Sequence, residues 1–192
     1  MSPLPAESTS LGCVRRRAAR WSPTLLALAV CALAVACASP GADGPSARAE
    51  LAPTAGQRAQ GWVEFAQIGR RVRVTAEVQG LAPNVEHGFH VHEKGDCSAP
   101  DAMSAGGHFN PGGQPHGHPG QGVRHAGDMP NLAADAQGRA RLTWTTDALS
   151  VAAGPASVIG RGVVIHRDPD DYRSQPAGNS GPRLACGVVA AR

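Results

Sequence analysis

The chain has 192 residues, of which 42% are hydrophobic and only 4% aromatic, and it carries a formal charge of +3 at neutral pH. That length suits one ordinary domain with an appendage rather than several domains. Residues 1–37 hold four of the 18 Lys/Arg and one of the 15 Asp/Glu, so the remainder has 14 of each and lacks the basic footprint of a nucleic-acid or membrane-surface binder.

The first segment reads as an address. Arg15, Arg16, Arg17 and Arg20 precede an uncharged apolar run from Leu25 to Ala36, too short to span a bilayer comfortably and followed by small residues. Residues 1–37 are therefore expected to be a signal peptide directing export to the periplasm or cell envelope. Cys37 follows Leu33-Ala34-Val35-Ala36. This arrangement suits lipid attachment to Cys37 and anchoring to a membrane, although Ala34 stands where lipoproteins usually carry a larger aliphatic residue. Ordinary cleavage nearby is the alternative. Residues 38–55, rich in Ala, Pro, Gly and Ser, are expected to be a flexible linker.

The domain is expected over residues 56–192, as strands rather than helices. Trp62–Phe65 and Val72–Val78 flank a turn at Gly69-Arg70-Arg71, and the second alternates apolar and polar residues. Further strand signals cover residues 87–93, 140–145, 162–166 and 184–189. Short strands joined by Gly- and Pro-rich segments predict an all-β sandwich or barrel. From Lys94 to Asp128 no strand pattern is visible, and a loop that long is normally functional. Two cysteines remain in the domain, Cys97 and Cys186. In an oxidising compartment an even pair reads as one disulfide, with two buried free thiols as the alternative.

All eight histidines lie between positions 87 and 166. His90 and His92 share one strand face, an arrangement that suits copper or zinc. His166 ends another strand and can approach from beside them. In the loop, His108, His116, His125 and Asp128 make a reasonable closed tetrahedral zinc set. His87 reads as a hydrogen-bonded structural histidine, and His118 as solvent-exposed.

The segments His87-Gly88-Phe89-His90-Val91-His92-Glu93, Gly107-His108-Phe109-Asn110-Pro111, His116-Gly117, His125-Ala126-Gly127-Asp128 and Asn179 to Gly187 resemble copper/zinc superoxide dismutase, in order, from about Gln60 to the C-terminus. The resemblance implies a Greek-key β-sandwich or barrel with long metal-binding and active-site loops. It implies copper on His90, His92, His108 and His166, and zinc on His108, His116, His125 and Asp128, one ion of each per subunit. His108 would bridge the two ions, Asp170 would accept hydrogen bonds from His90 and His116, and Arg183 would attract the anionic substrate.

The implied activity is disproportionation of superoxide to oxygen and hydrogen peroxide by copper redox cycling, with structural zinc, as antioxidant defence in the cell envelope. His108 and Arg183 would be the catalytic residues, and a homodimer is among the assemblies implied. The segment from Asp170 to Arg183 carries Arg173 but no lysine, so the steering charges of eukaryotic members are not visible, and the His92-to-Cys97 spacing looks more like bacterial members. The competing class is a metal-buffering protein, which would need neither Arg183 nor a bridging His108.

Overall fold

Alternation decides which way each strand faces. In β3 (Arg71–Gln79), Val72, Val74, Ala76 and Val78 are buried while Arg71, Arg73 and Gln79 are exposed. In β2 (Gln60–Ile68), Val63 and Phe65 face the same interior. The period of two puts one side of each strand into the core. The hairpin joining them is in register from Gln60 opposite Gln79 to Ile68 opposite Arg71, with Gly69 at φ 57° in its turn.

The computed structural model describes residues 44–192, so the predicted leader and Cys37 lie outside the described residues. Among the described residues the regular structure is strand, apart from one 3-10 turn at Met103–Ala105. The remaining strands are β1 (Ser46–Pro53), β4 (Glu86–His87), β5 (Phe89–His92), β6 (Leu132–Ala133), β7 (Ala140–Thr146), β8 (Gly162–His166), β9 (Arg183–Val188) and β10 (Ala190–Ala191). The main sheet runs β5-β8-β9-β1-β2-β3-β7, with β10 beside β1. β1 holds its two halves together. Residues 46–51 pair with β2, whereas Ala52 and Pro53 pair with Cys186 and Ala185 of β9. The chain crosses between the halves on the way from β3 to β5 and from β7 to β8, as the expected Greek-key sandwich does.

The expected flexible linker over residues 38–55 is corrected by β1. Ser46-Ala47-Arg48-Ala49-Glu50-Leu51 alternates, and Ala47, Ala49 and Leu51 are buried. Alanine has little strand preference, so composition masked the period. The folded domain therefore begins by Ser46, ahead of the expected boundary at 56.

Candidate metal centre

The site is built along β5. One edge of that strand pairs with β8, from Phe89 opposite Ile165 to His92 opposite Gly162. The other edge is occupied by the long loop through a closed cycle of three peptide hydrogen bonds. Val91 N–H donates to Gly127 O (3.0 Å), Gly127 N–H to Phe109 O (2.9 Å), and Phe109 N–H to Val91 O (2.8 Å). The cycle brings His108 opposite His92 and Asp128 opposite His90. It needs Gly127, because a Cβ there would run into the Val91 carbonyl.

Phe89, Val91 and Phe109 anchor this layer in the hydrophobic core. His90 and His92, alternating with the first two, are turned together toward the loop. The regular part of the loop is small, as expected from residues 94–128, and its turn packs Ala102 and Ala105 against Val164 and the disulfide.

Four buried imidazoles form the first group: His90, His92, His108 and His166, whose candidate ligand atoms all lie within 4.8 Å of one another. The outer nitrogens of three are occupied. His92 Nδ1–H donates to Gly106 O (2.9 Å), His166 Nδ1–H to Gly181 O (3.2 Å), and His90 Nε2–H to Asp170 Oδ2 (2.8 Å). Each neutral ring then turns a lone pair inward.

His92 Nε2 and His166 Nε2 face each other at 3.3 Å, and His90 Nδ1 and His108 Nε2 are buried without a partner among the described residues. Converging lone pairs with no donor among them suit a cation, and imidazole donors suit copper.

The second group is His108, His116, His125 and Asp128. The Nδ1 atoms of the three rings lie 2.8, 3.0 and 3.3 Å from one oxygen, Asp128 Oδ1, and His125 Nδ1 is 3.4 Å from His108 Nδ1. Three rings on one oxygen exceed its two lone pairs. A tetrahedral zinc ion holds its ligand atoms about 3.3 Å apart, so the spacing suits that ion. Asp128 Oδ2 is fixed separately by the N–H groups of Gly117 (3.1 Å) and His125 (2.9 Å). His108 belongs to both groups, with Nδ1 toward the second and Nε2 toward the first.

Asp170 joins the groups from outside. Its Oδ2 takes the His90 bond, and Oδ1 accepts from His116 Nε2 (2.9 Å) and from the Tyr172 N–H (2.7 Å). Asn131 holds the backbone of Asp170 at both ends: Asp170 N–H donates to Asn131 Oδ1 (2.9 Å) and Asn131 Nδ2 to Asp170 O (3.1 Å). Tyr172 Oη in turn accepts the Asn131 N–H (2.8 Å). Gly178, at φ 65°, packs where a Cβ would strike the Asp170 carboxylate.

Arg183 reaches the site through a bulge. The β8–β9 register slips after Ile165, so that Arg183 rather than Leu184 lies opposite His166. Its Nη1 and Nη2 donate to Ala102 O and Gly106 O, each at 2.6 Å. Arg183 and His166 line one open cleft with Thr54, Asp101, Met103 and Pro182. The Cys97–Cys186 disulfide, spanning 89 residues, ties the loop to β9 beside this cleft.

Burial sets the electrostatics. It holds His92 and His166 well below their ordinary pKa and outweighs the raising effect of Asp170 on His90, which is also lowered. His108 falls to about 4 for the same reason, helped by neighbouring His90. His116 moves the other way. Burial disfavours its charge, but hydrogen bonds to Asp128 and Asp170 overcome this and raise it to about 9. Both carboxylates, although burial opposes their charge, are held well below the carboxylate range by the histidines bonded to them.

The structure thus brings together the expected residues of both groups, with Asp170 and Arg183 beside them. His87 stays outside both groups, buried and donating from Nδ1 to His166 O (2.9 Å). His118 is exposed, its ring edge-on to that of Tyr172 with the ring centres 4.6 Å apart. Sequence reasoning missed Asn131, Tyr172 and the carbonyls of Ala102 and Gly106. The Asn131 and Tyr172 side chains left only the loop's polar composition as a signal, and carbonyls leave none.

The family described as copper/zinc superoxide dismutase (SODC) matches residues 59–189. The chain is 42% identical over 147 residues to "Superoxide dismutase [Cu-Zn] 2" of Aquifex aeolicus, covering 74% of this chain and 85% of the relative. A superoxide dismutase [Cu-Zn] of Deinococcus radiodurans is 41% identical over 159 residues, 77% of this chain and 85% of that protein. Among solved structures, the clock protein EA4 superposes with a TM-score of 0.69 at 40% identity, covering 76% of this chain and 93% of its own.

Proposed function

Because the chain belongs to the copper/zinc superoxide dismutase family, we propose that His90, His92, His108 and His166 hold copper and that His108, His116, His125 and Asp128 hold zinc. The activity is dismutation: two superoxide ions and two protons become one oxygen and one hydrogen peroxide. When bound, copper supplies the one-electron oxidation and reduction that this requires, and zinc supplies no redox chemistry.

The chain's residues do the rest. Arg183 keeps its charge throughout the accessible pH range, and its two carbonyl bonds hold the guanidinium at the cleft, where it attracts and orients a small oxygen anion. His108 Nε2 is the atom placed to take up a proton and hand it to the reduced substrate. Asp170 fixes His90 and His116 so that each presents Nδ1 to its own group.

The observation that carries this reading is the sharing of His108, whose Nδ1 sits among the zinc ligands while its buried Nε2 points to the other group without a partner. A buffering protein needs neither this shared ring nor Arg183.

The test is metal analysis of purified protein beside a superoxide-consumption assay. One copper and one zinc per chain with rapid consumption is expected, and His108→Ala should abolish turnover. Full metal loading without superoxide consumption would leave metal buffering as the function.

We place the protein in the cell envelope, exported by residues 1–37. Lipid attachment at Cys37, membrane anchoring and a homodimer are further proposals resting on the sequence. Mass spectrometry of the mature N-terminus checks the first two, and sedimentation the third.

A further inference from the structure

His116 sits in a stretch that has neither helix nor strand, from Pro111 to Arg124. Its ring is bonded at both nitrogens, Nδ1 to Asp128 and Nε2 to Asp170. A ring so tightly specified needs a fixed backbone, and the stretch supplies little of its own. Its internal bonds are short-range, such as Gly113 N–H to Asn110 O and Gln121 N–H to His118 O. Gly117 is tied to Asp128, itself a member of the group. His116 is the residue whose main chain is held from elsewhere in the fold. Its N–H donates to Gln175 Oε1 (2.9 Å), and its carbonyl accepts from Gln175 Nε2 (2.9 Å), across 59 residues.

We propose that Gln175 is a positioning residue for the zinc-binding group, its carboxamide pairing with both peptide groups of His116 as a neighbouring strand would. This rests on the assignment of His116 to zinc. Gln175 also lines a cleft with His166, Ala177 and Ser180. The clamp therefore joins the zinc loop to the wall beside the copper group, on the segment that also carries Asp170. Replacing the amide leaves a backbone donor and acceptor to be satisfied by water. His116 must then be ordered again each time the ion binds.

The experiment uses the metal-loaded, disulfide-intact protein and Gln175→Met, which keeps the side chain's bulk and removes both bonds. Zinc release to a chromogenic chelator should be roughly tenfold faster, the scale expected for losing two partly exposed hydrogen bonds. The visible absorption of bound copper should stay as in the wild type. Arg173→Ala, in the same segment with no side-chain partner among the described residues, should release zinc at the wild-type rate. Unchanged release from Gln175→Met, or equal acceleration by Arg173→Ala, would overturn the proposal. If Gln175→Met does not fold, amide exchange decides. The His116 N–H of the wild type should be protected while that of Gly122 exchanges freely, and equal exchange at both would sink the clamp. A wild-type protein that binds no zinc would instead refute the assignment of the group, and amide protection would still report on Gln175.

Discussion

The sheet of β1, β2, β3 and β7 and the loops around the metal groups are held by opposite means. In the sheet, register and apolar burial act together: Phe65 opposes Val74, which opposes Trp144 across the next strand, and all three pack into one cluster. In the loops, residues 93–131 and 167–182, Phe109 and Met129 reach the core and Ala102 and Ala105 pack beside the disulfide, but the metal groups themselves are positioned by carboxylates, carboxamides and peptide groups. Apolar packing is non-directional and carries no titrating group, so it is indifferent to pH. A polar network depends on each partner and on its protonation. The part of the molecule that performs chemistry is thus the part whose stability is conditional.

Three measurements break or sharpen this contrast. The largest effect is expected from Phe65→Ala, a fully buried side chain whose removal should cost about 3–5 kcal/mol in urea unfolding. The loss should be the same with metals bound or stripped. Reducing Cys97–Cys186 should cost about 2–4 kcal/mol, because the closed loop is long. Unlike Phe65→Ala, it should also speed metal release, since it frees the turn that carries the Arg183 acceptors.

The smallest effect is a pH profile of chelator-stripped protein. His116 has its pKa raised from 6.5 to about 9, so its contribution is complete below 6.5 and disappears as pH rises through 9. His90, His92, His108 and His166 are lowered, so below 6.5 the unfolded chain binds more protons and stability falls with pH. The urea midpoint should therefore peak near pH 6.5, and a flat profile from 5 to 9 would show that these networks contribute little. The acid limb should steepen when metals are bound, because ligation requires the same rings, and His116 with them, to be deprotonated in the folded state while the unfolded chain takes up their protons.

The same contrast governs what could be read from sequence. β2, β3 and β7 announce themselves through Val, Phe, Leu and Trp at alternating positions, and β8 through an unbroken apolar run. β1 does not, since its inward residues include Ala47 and Ala49, and it escaped notice although it joins the two halves of the sheet. The histidines, Asp128, Asp170 and Arg183 were legible because a resemblance spread over several ordered motifs carried them. Gln175, Asn131 and Tyr172 were not. They act on backbone groups far away in the chain, and no local pattern marks such a partner. The bulge that sets Arg183 opposite His166 is likewise a matter of pairing between strands, which spacing along one strand cannot reveal.

One carbonyl has a wider consequence. Gly106 O accepts both from His92 Nδ1–H and from Arg183 Nη2. The group that settles which nitrogen of a proposed copper ligand stays free is also the group that aims the guanidinium proposed to bind the anion. Substitutions at Arg183 and His92 therefore cannot be treated as independent, because each alters the acceptor left for the other. Catalytic loss on changing Arg183 will mix weaker anion capture with an altered metal environment. For anyone redesigning this cleft, affinity for the anion and electronic tuning of the centre form a single coupled variable.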